Sequence, residues 1–143
     1  MKDNILIEKS IDFGARIVKL HRYLVKEKHE TVLSKQILRS GTSIGANVNE
    51  AQYGQSRADF ISKLQIALKE TAETEYWLHI LQKSDYLDEQ QAASLLTDCL
   101  EIKRILISSV NTAKSGAENN NWYCIEKRKP DDSFRRACIL LVD

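Results

Sequence analysis

The stretch QILRSGTSIGANVNEA, Gln36 to Ala51, decides the fold. Its apolar residues recur at helical spacing, yet it carries Gly41, Gly45, Asn47 and Asn49. Such residues cost a helix interior up to about 1 kcal/mol each against alanine, so a helix that keeps them has a tertiary reason for doing so. On the helical period Leu38, Gly41, Ile44, Gly45 and Val48 share one face, and two glycines there let a neighbouring helix come close. Arg39, Ser43, Asn47 and Glu50 line up on another face. One helix thus offers a close-packing surface beside a polar stripe of mixed charge.

Upstream, Ile11, Gly14, Ile17, Val18, His21, Leu24 and Val25 keep to one side of a helix running from Ile5 or Ser10 to Lys28. Lys9, Arg16, Lys19 and Lys26 form a basic stripe on its far side, broken by Asp12. A solvated face is the ordinary reading of such a stripe, and nucleic-acid contact the functional one. His21 reads as a hydrogen-bonded packing residue, because nothing at metal spacing accompanies it. Thr31 or Ser34 is the natural N-cap of the glycine-bearing helix, and Gly54 suits a C-terminal position with positive φ.

Ser56 to Asp59 reads as a capping box with Asp in place of Glu. It opens a helix of about 28 residues, roughly 42 Å long, with Phe60, Ile61, Leu64, Ala67, Leu68, Thr71, Leu78 and Leu81 on its core side. Asp88 and Gln91 form a further capping pair. Behind them Ala92, Leu95, Leu96, Cys99, Ile102, Leu106 and Val110 continue the apolar period until Gly116 stops the helix. Four helices with short connections predict an all-α fold, an antiparallel up-down-up-down four-helix bundle over residues 1–115.

Composition agrees. The chain has 143 residues, enough for one domain, and a single Pro with five Gly leaves room for long helices and few turns. The net charge of +1 gives no global pull toward a polyanion, so any such contact must come from a local patch. Residues 116–143 differ from the rest: they hold a triple Asn, Pro130, the cluster Lys127–Arg128–Lys129 and an apolar run from Cys138 to Val142. A flexible C-terminal tail is the expectation there. The three cysteines lack metal-ligand spacing, and Cys99 falls on an apolar helical face. Met1 to Asn4 does not open a secretory pattern, and no apolar run approaches the about 18 residues of a membrane span. A cytoplasmic protein without a membrane partner is expected.

A four-helix bundle rich in glutamate raises the possibility of a di-iron site, which needs Glu-x-x-His on two helices. Here Glu75 and His79 are four apart and no second pair exists. There is no glycine-rich phosphate loop, and Ser43 sits mid-helix with no His nearby in the sequence. No metal, no cofactor and no enzymatic activity are expected. Glu70, Glu73 and Glu75 are three acids in six residues, with Glu75 nearest the core face. Arg39 is their natural partner, because the second and third helices of such a bundle lie side by side.

The run ILRSGTSIGANVNEA, followed by DFISKLQIALKETAETEYWLHIL (Asp59 to Leu81), resembles the four helix bundle protein family. These are small bacterial proteins encoded in intervening sequences of 23S ribosomal RNA genes. They are similar to the accessory variability determinant protein of diversity-generating retroelements. The resemblance covers roughly Ile5 to Lys114 and is strongest at Arg39, Ser43, Ile44, Asn47 and Glu50 with Glu70, Glu73 and Glu75. It departs at Ala51, where the family has glycine, and at Leu68–Lys69, where it has a pair of small residues. It implies a homopentameric ring, and a non-enzymatic adaptor that binds RNA or DNA, or a nucleic-acid-processing protein such as a reverse transcriptase. The alternative is a structural or protein-interaction bundle with no nucleic-acid contact. Assembly has separate support in an apolar surplus: Phe13 and Leu20 lie off the main stripe of the first helix, and Phe60, Trp77 and Ile80 broaden that of the third. In a ring, Lys9, Arg16, Lys19 and Lys26 would recur as a belt of cations.

Overall fold

The computed structural model describes residues 5–116; the expected tail, with Lys127–Arg128–Lys129 and the apolar run from Cys138, lies outside the described residues. Four helices follow one another: α1 (Ile5–Lys26), α2 (Leu33–Ala51), α3 (Arg57–Lys83) and α4 (Glu89–Ser115). Each packs on the next, and α4 returns to α1. Along α2, Ser34 meets His21 of α1, Gly41 meets Ile17 and Gly45 meets Ser10, so numbers rise on one helix as they fall on the other. The same reversal holds for Ser40 with Thr74 and Glu50 with Lys63 across α2 and α3. Thr71 with Cys99 and Arg57 with Ala113 repeat it across α3 and α4, and Arg16 with Asp98 and Lys9 with Glu101 across α1 and α4. Neighbouring helices therefore run antiparallel.

The core is built from one stripe per helix; on α1 the predicted Ile17 and Leu24 lie in it, but the stripe is rotated from the predicted one. Leu6, Phe13, Ile17, Leu20 and Leu24 point inward, while Ile11, expected inside, is 62% exposed. The cause lies across the interface. A Cβ on Gly41 would stand 2.8 Å from two carbons of Ile17, so the missing side chain is the socket that Ile17 fills. With Ile17 seated there, Phe13 and Leu20 lie in the core. Phe60 is also a core residue, at 5% exposure. The apolar surplus expected at Phe13, Leu20 and Phe60 is therefore absent from the surface. Trp77 and Ile80 are half-buried, and exposed aliphatic side chains occur instead at Ile11, Val32, Ile66, Leu100 and Ile107.

The helix ends show how each element is started. Ser56 Oγ accepts the N–H of Asp59 at 3.1 Å, and the Asp59 carboxylate accepts the N–H of Gln55 at 3.1 Å, one residue before the cap. Asp88 and Gln91 form a reciprocal capping box on α4. At α2 the expectation fails: neither Thr31 nor Ser34 caps it. The N-cap is Val32, which has no side-chain bond to offer. Glu30 serves instead, its carboxylate accepting the N–H groups of Val32, Leu33 and Ser34 at 2.9, 2.8 and 2.7 Å. His29, at φ 54, turns the chain just before it. Burial raises the Glu30 pKa, but three backbone N–H groups at a helix start outweigh it and hold the carboxyl below its ordinary value.

Gly54 does not adopt the predicted positive φ. A Cβ there would press within 3.2 Å of Ala51 O and Phe60 N, so the residue makes room between the end of α2 and the start of α3. α1 stops at Lys26, two residues short of the expected Lys28. Cys99 is buried, donates to Thr71 O at 3.5 Å, and has its thiol pushed up to about 12 by burial.

Two measurements test these assignments. Gly41→Ala forces Ile17 to move and should destabilise by about 1–3 kcal/mol in denaturant melts. Gly45→Ala, whose Cβ would meet Ser10 Oγ at 3.3 Å, should cost less. Glu30→Gln should cost about 1–2 kcal/mol at neutral pH. Because the folded pKa of Glu30 lies below its unfolded value near 4.5, the wild-type advantage is present above that pH. It fades as pH falls through the folded pKa.

Candidate functional site

The polar stripe of α2 meets α3 along one seam of the bundle. Arg39 sits where the helices are in register with Glu70 and Glu73, which lie on one side of α3. Its Nη1 donates to both carboxylate oxygens of Glu70 at 3.3 Å, and its Nη2 donates to Glu73. The hydrogen bond to Glu73, with Glu70 beside it, raises the already high pKa of the guanidinium. The Arg39 side chain is 51% exposed, whereas Glu70 is 20% and Glu73 34% exposed. This is a surface clamp between two helices, with the two acids exceeding the one base.

Below it the stripe closes on itself. Ser43 Oγ donates to Arg39 O at 2.6 Å, and Asn47 Nδ2 donates to Ser43 O at 2.8 Å. Both side chains thus return to their own helix one turn back. Glu50 accepts from Lys63 Nζ at 2.8 Å, which raises the Lys63 pKa. Glu75 points elsewhere, to Lys103 of α4 at 2.7 Å. The structure therefore brings together Arg39, Glu70 and Glu73, extends the ladder through Ser43, Asn47 and Glu50, and places Glu75 on a different side. Beneath the seam, Thr74 Oγ1 donates to Ser40 Oγ at 2.9 Å, a buried hydroxyl pair joining α2 to α3.

The basic stripe of α1 divides in two. Lys9 pairs with Glu101 at 2.8 Å and Arg16 with Asp98 at 2.5 Å, Arg16 also donating to Ser94 Oγ at 2.9 Å. Lys19 and Lys26 are exposed and have no acidic partner among the described residues, and Arg22 lies exposed between them. The acids that meet this stripe come from α4, which cancels half of it. Sequence reasoning missed Asp98 and Glu101 because a charge on a solvated helix face carries no sign of which neighbour it meets. Arg57 was missed for the same reason: it donates to the carbonyls of Ala113 and Lys114, closing the end of α4.

Among the described residues no three His, Cys, Asp or Glu side chains come together as a metal site. No described helix is long and apolar enough to cross a membrane.

A family model described as 23S rRNA-intervening sequence protein matches residues 2–108. The chain is similar to a protein of unknown function from the S23 ribosomal protein family of Bacteroides thetaiotaomicron VPI-5482, known from a crystal structure. The two share 56% identity over 78% of this chain and 99% of the other, with a TM-score of 0.76. No curated protein matches. Neither description names an enzymatic activity.

The clamp is tested by a double-mutant cycle. Arg39→Ala should cost about 1 kcal/mol or less, as for other exposed pairs. Glu73→Ala should cost a similar amount, and the double mutant less than their sum. Strictly additive losses would show that the contact carries no coupling.

Proposed function

The chain belongs to the 23S rRNA-intervening sequence protein family, and from that premise we propose a non-enzymatic, ring-forming adaptor of the cytoplasm that holds RNA or DNA. Such a ring, a homopentamer by the resemblance, would present its nucleic acid to a processing protein such as a reverse transcriptase. The observation that carries the nucleic-acid reading is the division of α1. The cations of its first half are neutralised by α4, while Lys19, Arg22 and Lys26 stand exposed on its second half. One chain of net charge +1 would bind weakly. Repeated around five subunits, these three residues become a belt of about fifteen cations. Phosphate contact from such a belt brings little sequence preference and a steep dependence on salt. Arg39 with Glu70 and Glu73, and Lys63 with Glu50, join α2 to α3, while Ser43 and Asn47 bond back to their own helix, an arrangement suited to holding helices together.

Anisotropy of labelled RNA and DNA oligonucleotides should show micromolar, sequence-tolerant binding that weakens at least tenfold between about 50 and 200 mM salt. Lys19→Glu with Lys26→Glu should lower both the affinity and the salt slope. Lys9→Glu, at a charge already paired with Glu101, should change them less. Absence of binding at low salt would remove the nucleic-acid half and leave a bundle whose partner is a protein.

A further inference from the structure

The α1–α4 side of the bundle changes character along its length. At one end it is laced by Lys9 with Glu101 and Arg16 with Asp98. Toward the later residues of α1 no ion pair joins the two helices among the described residues, and a groove of about 520 Å³, open to solvent, lies between them. That volume falls within the about 300–1,000 Å³ of small-ligand sites. Its floor is apolar: the core residues Leu20 of α1 and Leu95 of α4, with Leu87 of the turn before α4. Half-buried Tyr23, one turn past Lys19 on the same side of α1, adds an aromatic wall.

The charges lining the groove are of one sign. Arg16 and Lys19 line it and no carboxylate does. Arg16 is already bonded to Asp98 and Ser94, whereas Lys19 has no acidic partner among the described residues. Lys28 Nζ stands 6.0 Å from the centre of the Tyr23 ring, so a further cation borders the aromatic wall. On the α4 side, Gln90 is exposed, and Gln91, whose Oε1 accepts the Asp88 N–H, keeps its amide donors. Ring, cation and amide are the groups that hold a base face, a phosphate and a base edge.

A bare phosphate needs no apolar floor, and a base paired within a duplex shows a side chain only its edge. A ligand that uses floor, ring and cation together carries an unpaired base next to its phosphate. We infer that this groove takes one unpaired base of a single-stranded RNA or DNA, its face on Tyr23 over the leucine floor and its phosphate at Lys19. The site rests on the nucleic-acid reading above and adds what a belt of cations alone does not give, a preference for single strand over duplex.

Anisotropy of one labelled oligonucleotide, alone and annealed to its complement, decides this with the full chain at low salt. The wild type should hold the single strand about fivefold or more tighter than the duplex. Tyr23→Ala should remove that preference and leave the salt slope unchanged, since no phosphate contact is lost, while Tyr23→Phe should keep it. Gln90→Glu, at an exposed position that spares the fold, sets a carboxylate at the rim and should weaken single-strand binding more than duplex binding. Tyr53→Ala, at an 80% exposed aromatic in the turn after α2, should change neither, and circular dichroism should show all variants equally helical. A wild type that binds neither form overturns the nucleic-acid reading and this site together. Equal affinity for the two forms, or a preference that survives both Tyr23→Ala and Gln90→Glu, leaves the cationic belt and overturns the groove.

Discussion

The contact between Ile17 and the bare Cα of Gly41 constrains the rest of the molecule. α1 is apolar around much of its circumference, and hydrophobicity alone would let it rotate. The socket at Gly41 accepts one β-branched side chain at 2.8 Å from a would-be Cβ, and interiors packed to crystal density do not tolerate a slip. With Ile17 seated, Phe13, Leu20 and Leu24 turn inward together, Ile11 turns outward, and Arg16 faces α4, where Asp98 meets it.

Many of the described polar side chains are used within the chain. Ser43 and Asn47 return to their own helix, Ser40 and Thr74 find each other, Glu30 holds the start of α2, and Arg57 closes the end of α4. This satisfies groups that would otherwise be costly where they are covered. It also explains why the family motif around Arg39 is no pocket of reactive groups: its residues act between helices and along the chain.

The bundle, its helix order and the caps of α3 and α4 were legible in the sequence because each rests on local rules, periodicity and box spacing. The α2 contribution of Ile44 and Val48 to the core was legible too. The rotation of α1 was not. Ile17 and Leu24 lie where two stripes overlap, one continuing through Phe13 and Leu20 and one through Ile11, Val18 and Val25, and packing against the other helices chooses between them. Glu30 escaped notice because it lies two residues before the N-cap and reaches forward to the N–H groups of Val32, Leu33 and Ser34 just after the left-handed turn at His29. The pairing of Arg39 with the α3 acids could be inferred from adjacency. Its exposure could not, since period gives direction and not the depth of a neighbour's cover.

Cys99 has a consequence for watching the molecule move. Its thiol lies under α3, bonded to Thr71 O, and burial raises its pKa so far that almost none is thiolate at neutral pH. In the closed bundle it is chemically silent. Alkylation at this residue must wait until α3 and α4 part, so its labelling rate under native conditions counts those separations one by one. The bundle carries, at its centre, an intrinsic clock of its own opening.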